Sequence, residues 1–330
     1  MSVVLYRYDA SPFSVKVDHV LLLKNIPHEK VNVANMLPRP EITEQLGITY
    51  RRIPILAVGN DVYCDTSLIA SALERRFPAA QGYGTLFPNK KHGGSADTGL
   101  IKAFSKHWAD TVLFPLAPAM LPWEKMPTAF IKDRSTFWAP INVEALVASR
   151  GKSLSTLSSH LSLIEEQLSD GREWLFDTEL PSLADISVHF VYAWLKGFRG
   201  VESLFDVDTF PNSLEWLARL TDYLGRLKQN RPAVPKISGS DAAAHIAAGA
   251  FEPYNVVGFD TREAARLGLK LGDEVSIAPD DNSRSFRTVG KLVALNREEL
   301  VLETKGRAGL VRCHFPRIMF SLQVSSQSKL

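Results

Sequence analysis

Three short stretches carry residue types that can do chemistry. Ser11-Pro12-Phe13-Ser14 stands where the apolar run Val3, Val4, Leu5, Tyr6 and Tyr8 gives way to helical spacing through Val17, Val20, Leu21 and Leu23. Pro12 suits a first helical residue and Ser11 a cap, so a hydroxyl is presented at a helix start. Ile53-Pro54 opens a second apolar run, Gly59-Asn60 turns it, and a third run ends at Cys64. Asp65-Thr66 then precedes Leu68, Ile69, Leu73 and Phe77. The pattern predicts strand, two-residue hairpin, strand and capped helix. Such a unit offers a peptide edge beside Pro54 and a helix N-terminus suited to an anion. Taken alone, Ser11 is equally an ordinary cap and Pro54 an ordinary strand-start proline.

Taken together, these stretches resemble the glutathione site of the cytosolic glutathione transferases, and Ser-Pro-Phe-Ser before a Lys-Val pair is similar to the serine-type members. The resemblance implies that Ser11 faces the sulfur of glutathione, with Ser14, one turn on, as the second choice. It implies a cis peptide at Pro54, with the Ile53 backbone pairing with the tripeptide as an added strand would. Asp65-Thr66 stands for the family's Glu-Ser pair at the γ-glutamyl end, with an acid one methylene shorter. Arg39, Arg51 and Arg52 lie in the adjoining loops, and Arg52 is the foremost candidate for the glycine carboxylate. Phe13, Trp108 and Thr111 are candidates to line the electrophile pocket.

The chemistry asked of Ser11 is modest. A thiol of pKa ~8.5 is about 3% ionised at neutral pH, and lowering it by about two units needs roughly 2.7 kcal/mol. One hydrogen bond to the charged sulfur supplies about 1.5–3 kcal/mol, and a helix N-terminus about 0.3–1. Neither a metal nor a histidine is required, and the eight histidines show no ligand spacing.

Composition narrows the class. The chain has 330 residues, 45% hydrophobic, with a formal net charge of +2. That length predicts two or three domains, and no basic field argues for nucleic acid. No apolar run is long enough for a membrane span, and Arg7 interrupts any leader, so a cytoplasmic protein is expected. Cys64 and Cys313 are far apart in sequence and fall in different expected domains, which argues for free thiols in a reducing compartment.

The elements that must position the site fall into three parts. Residues 1–78 read as βαβαββα, a thioredoxin-like domain, and residues 79–94 as a linker. Residues 95–231 carry helical periodicity at Leu100 to Met120, Leu154 to Leu168 and Ala184 to Leu195, with a capping box at Ser182 to Asp185. This resembles the transferase helical bundle. After Pro232 and Pro235 the period changes. A short helix near 241–250 and another at 263–269 precede strands at 274–278, 288–295, 300–303, 310–314 and 318–324. Residues 236–330 are therefore expected to form an appended small β-barrel-like domain that packs on or covers the site, and a chain ending near Pro235 is expected to fold. With Pro38-Arg39-Pro40 and Arg52-Ile53-Pro54, this tail resembles a fungal-type transferase-like branch. The resemblance implies an enzyme activating the glutathione thiol for attack on a hydrophobic electrophile, in detoxification or a biosynthetic tailoring step, and allows a homodimer. The alternatives are a glutathione-dependent isomerase and a non-catalytic glutathione-binding scaffold.

Overall fold

The computed structural model describes residues 1–137 and 139–324; residues 325–330 of the expected third part lie outside them. The chain opens with β1 (Val3–Arg7), α1 (Pro12–Leu23), β2 (Glu29–Asn32), α2 (Pro40–Thr43), β3 (Ile55–Val58), β4 (Asp61–Cys64) and α3 (Thr66–Arg76). This is the order read from the sequence. Local chemistry explains its joints. Ser11 Oγ accepts from Ser14 N at 3.2 Å to start α1, and Asp65 accepts from Ser67 N at 3.0 Å to start α3. Gly59 takes a φ of +61°, as the tight turn between β3 and β4 demands. The Ile53–Pro54 peptide is cis, and so is Leu37–Pro38.

The helical part contains α4 (Thr98–Ala103), α5 (Thr128–Ser135), α6 (Val143–Ala148), α7 (Arg150–Leu168), α8 (Leu183–Leu195) and α9 (Pro211–Gln229). Beyond α4 the chain stays helical but changes winding, with a π segment at Phe104–Leu113 and a 3-10 segment at Phe114–Met120. Pro115 and Pro118 lack the N–H groups a regular helix would use there. Ser182 and Asp185 form the expected capping box, and Asp185 also accepts from Trp216 Nε1 at 3.0 Å, which ties α8 to α9.

The carboxy-terminal part contains α10 (Gly239–Ala247), α11 (Tyr254–Val257) and α12 (Thr261–Leu267). It continues with β5 (Glu274–Pro279), β6 (Thr288–Leu295), β7 (Glu299–Gly306), β8 (Gly309–Pro316) and β9 (Phe320–Val324). The strands lie close to where the sequence put them, but they do not form a separate barrel. They extend the first sheet into one open, mixed, nine-stranded sheet ordered β2-β1-β3-β4-β8-β7-β6-β5-β9. β8 pairs in parallel with β4, matching Asp61 with Arg312, Val62 with Cys313 and Tyr63 with His314. Without β8, β4 would present an unpaired row of amides and carbonyls.

Packing follows the same logic. Alternate residues of β1 point to opposite faces. Val3 and Leu5 join a core with the helical part, whereas Val4 and Tyr6 join a second core with Ile246, Leu292, Leu302 and Phe315. Ile42, Leu46, Ile48 and Tyr50 of the first part share the second face with the carboxy-terminal part. Cys64 and Cys313, expected in different domains, therefore meet with sulfurs 3.7 Å apart, both as free buried thiols.

Two predictions follow from this packing. Ending the chain at Pro235 would strip β4 of its neighbour and expose the second core, so we expect an insoluble or unfolded product, against the expectation from sequence. A cooperative melt of the soluble truncation would overturn this. The second concerns His19 and His189, buried side by side with ring centres 5.7 Å apart. Burial pushes His19 down to about 4 and His189 to about 3. The unfolded chain takes up these protons near pH ~6.5 and the folded chain only well below, so stability falls as the pH drops from there towards about 4. The loss of stability between about pH 7 and about pH 5 in denaturant titrations should be smaller in His19→Phe than in the wild-type chain, by on the order of 1–2 kcal/mol.

Candidate functional site

Strand register brings the three chemical stretches to one end of the sheet. Tyr6 pairs with Ile55, and Ile55 with Cys64. β1 runs towards this end, β3 starts from it and β4 finishes at it. The Tyr8–Ser11 turn, Ile53-Pro54 and Asp65-Thr66 therefore lie just beyond three adjacent strand ends. Parallel pairing of β8 with β4 brings Pro316 and the turn through Met319 to the same end.

Ser11 is 3% exposed, and among the described residues nothing accepts a hydrogen bond from its hydroxyl. Ser14 is fully enclosed, and its Oγ has no partner among the described residues. Ile53 is 9% exposed, and neither its N–H nor its carbonyl has a backbone partner among the described residues. An unpaired peptide beside the first residue of a strand is the requirement for adding a further extended chain.

Asp65 occupies a φ of +75° and is held from three sides. Ser67 donates its N–H and, at 2.6 Å, its hydroxyl to Oδ1; Lys106 Nζ lies 3.0 and 2.9 Å from the two oxygens. Burial works to raise the carboxyl, but the Lys106 charge and these hydrogen bonds prevail and hold it at about 2. Lys106 is raised, burial being outweighed by Asp65 and Asp110. Thr66 Oγ1 donates to Asp110 at 3.4 Å, and Asp110 is paired with Lys16 of α1 at 2.7 Å. Burial pushes Asp110 up and Lys16 down, each opposed by the attraction of the other. Two acids and two lysines thus join α1, the start of α3 and the π segment.

These partners were missed in the sequence, where attention fell on the aromatic residues of that helix. The available signal was a Lys and an Asp four residues apart in an apolar helix expected to face the site. His107 is exposed.

The loop arginines are spoken for. Arg52 pairs with Asp281 and donates to the Asn282 carbonyl at 2.9 Å, so the residue expected to take a substrate carboxylate meets the loop between β5 and β6 instead. Arg51 pairs with Asp133 at 2.7 Å and lies over the rings of Phe137 and Phe286. Arg39, 3% exposed, donates to the carbonyls of Ala34 and Arg51. The same β5–β6 loop donates Ser283 N to the Phe137 carbonyl at 2.7 Å. The carboxy-terminal part therefore closes against the hairpin loop and the end of α5.

The expected electrophile pocket is not gathered in one place. Phe13 packs with Phe114 and Phe190, at 4.5 and 5.2 Å between ring centres. Trp108 stacks on Phe104 at 4.8 Å and meets the edge of His160. Thr111 is exposed, with its hydroxyl 3.6 Å from Met319 Sδ. A cavity of about 820 Å³ opens elsewhere, beside the Gly59-Asn60 turn, where Arg75, Arg76 and His245 are already paired with Glu252, Asp61 and Glu29. Among the described residues no group of three or more His, Cys, Asp or Glu is placed to hold a metal, and no helix is long and apolar enough to cross a membrane.

Residues 5–81 match the family model described as glutathione S-transferase, N-terminal domain. Residues 5–81 are thus similar to a transferase N-terminal domain. Residues 113–229 match a domain of unknown function (DUF7962). No curated protein matches the sequence. Among solved structures, a GST-like protein from Pseudomonas syringae is 27% identical with a TM-score of 0.72, over 98% of this chain and 99% of that one. The beta-etherase LigF from Sphingobium sp. strain SYK-6 is 19% identical with a TM-score of 0.50, over 70% of this chain and 100% of that one. Rice GST1, solved in complex with glutathione, is 18% identical with a TM-score of 0.50, over 73% and 93%. The last two establish the fold alone. Together the matches support a glutathione transferase family, with a thioredoxin-like N-terminal domain and a helical domain. The match to the Pseudomonas protein extends over the carboxy-terminal part.

The Arg52–Asp281 pair is partly exposed, and such pairs contribute about 0–1 kcal/mol. Asp281→Ala should therefore leave the melting temperature of this transferase-like chain nearly unchanged while increasing protease cleavage between Pro279 and Thr288. Unaltered cleavage would show that Ser283 and Arg51 hold the loop without Arg52.

Proposed function

We propose that the chain binds glutathione at this end of the sheet and that Ser11 stabilises its thiolate for attack on an electrophilic small molecule. The observation that carries the reading is the unpaired Ile53 peptide, set within a glutathione S-transferase N-terminal domain beside the Ser11 turn and the Asp65 cap. The residues present fit the tripeptide. The Ile53 N–H and carbonyl take the backbone of its cysteine, the first turn of α3 with Thr66 takes the γ-glutamyl carboxylate, and Asp65 takes the ammonium. Glutathione supplies the nucleophile; the protein supplies position and a hydroxyl donor.

Ser11 fits the donor role better than Ser14. It stands at the helix start with a little exposure and an uncommitted proton, whereas Ser14 is fully enclosed inside α1. The thiolate then adds to the electrophile, giving a conjugate. Where the adduct carries a leaving group or eliminates, the same site yields substitution or isomerisation. The Met319 turn, with Thr111 beside it, supplies an outer wall of the acceptor side.

The test is spectroscopic. Ser11→Ala should abolish the ultraviolet thiolate absorbance of bound glutathione at neutral pH and lower turnover by about tenfold or more, with little change in glutathione affinity. Full absorbance and rate in Ser11→Ala, with both lost in Ser14→Ala, would move the role one turn along α1. Retention of glutathione without turnover of any electrophile would favour the scaffold reading.

A further inference from the structure

The position assigned above to the γ-glutamyl ammonium is already filled by an ammonium of the protein. Lys106 Nζ sits at hydrogen-bond distance from both oxygens of Asp65, with 13% of its side chain and 7% of the acid's exposed. It reaches Asp65 from the π segment, a different part of the chain from α3. The acid is anchored independently by Ser67 N and Ser67 Oγ, so it keeps its place if the lysine leaves. Asp110, one helical turn along, is already held by Lys16 on one side and Thr66 on the other, which leaves a released Lys106 for the ligand.

We infer that Lys106 is an exchangeable internal counter-ion: the substrate's α-ammonium displaces it from Asp65, and the released lysine turns to the α-carboxylate on the same carbon. The inference rests on the glutathione reading above and deepens it. One buried ion pair is replaced by two, both formed with the α-amino acid end of the ligand, and at no stage is a charge left unpaired. That condition matters because an isolated buried charge is far costlier than a paired one. The exchange makes Lys106 a specificity residue. A peptide lacking the α-ammonium leaves the Asp65–Lys106 pair intact, whereas a zwitterionic end replaces it. Arg52 does not substitute in this role, being tied to Asp281 and Asn282.

Binding of glutathione and of its des-amino analogue, glutaryl-cysteinyl-glycine, measured by calorimetry on the full chain, tests the exchange. In the wild-type chain the amino group both fills Asp65 and frees Lys106 for the α-carboxylate, so glutathione should bind about tenfold or more tighter than the analogue. Glutathione binding with a ratio near one overturns the exchange while leaving the glutathione site standing. Failure of the folded wild-type chain to bind either peptide overturns both. The wild-type protein also carries the direct readout, through 15N-labelled lysine and the Lys106 Nζ resonance. That resonance should shift with glutathione and stay in place with the analogue; a resonance unmoved by bound glutathione overturns the proposal.

Discussion

The buried contact between β4 and β8 is the constraint on which the rest of the molecule depends. His314 on β8 lies between Asp61 of β4, at 3.1 Å from Nε2, and Glu299 of β7, at 2.9 Å from Nδ1. Burial works against the ring's charge, but the hydrogen bonds and charges of the two acids prevail and raise it above the ordinary histidine range. Arg76 pairs with Asp61, and Arg75 bridges Glu252 and Glu299. Three carboxylates thus face three cations. Such a cluster adds little net stability over an apolar core, but removing one member costs about 3–5 kcal/mol. Its stronger effect is on register, since a one-residue slip of β8 would turn His314 to the opposite face, away from both acids.

That junction explains what was and was not legible in the sequence. Features set by neighbouring residues could be read: the Ser11-Pro12 helix start, the Gly59-Asn60 turn, the Asp65 cap and the Ser182–Asp185 box each need only a few residues of context. The late strands could be read as strands, but their partner could not. β4 and β8 lie some 250 residues apart, and parallel pairing leaves no turn between them to mark it. The clue was the apolar run Val3–Tyr6 of β1, a strand buried along its whole length. A strand covered on both faces needs a second layer, and the helical part supplies only one.

The site shows the same division. Residues bound to backbone geometry, Ser11, Ile53, Pro54 and Asp65, stand where local pattern placed them, at one end of the sheet. Residues that act by reach do not follow local pattern. Arg52 turns to Asp281 because the carboxy-terminal part folds back over the hairpin, and Lys106 turns to Asp65 because the winding of the π segment carries it there. Trp108 and Phe13, chosen for aromatic character, settle into separate clusters because large rings are buried wherever a gap exists.

The pairing of charges also limits how this site can activate a thiol. Lys16 is matched by Asp110, Lys106 by Asp65 and Arg52 by Asp281, so the three pairs act at a distance as small dipoles and not as a positive field. A thiolate several ångströms away gains little from cations whose charge is cancelled by adjacent acids. Stabilisation must then come through contact, from a donor within hydrogen-bond reach of the sulfur, where a charge-assisted bond keeps its strength. The Ser11 hydroxyl, at the start of α1 with its proton uncommitted, meets that requirement without help from any net charge nearby. On the proposed function, the Asp65–Lys106 pair is left to recognise the γ-glutamyl end of the peptide, and the Ser11 hydroxyl to choose the ionisation state at its centre.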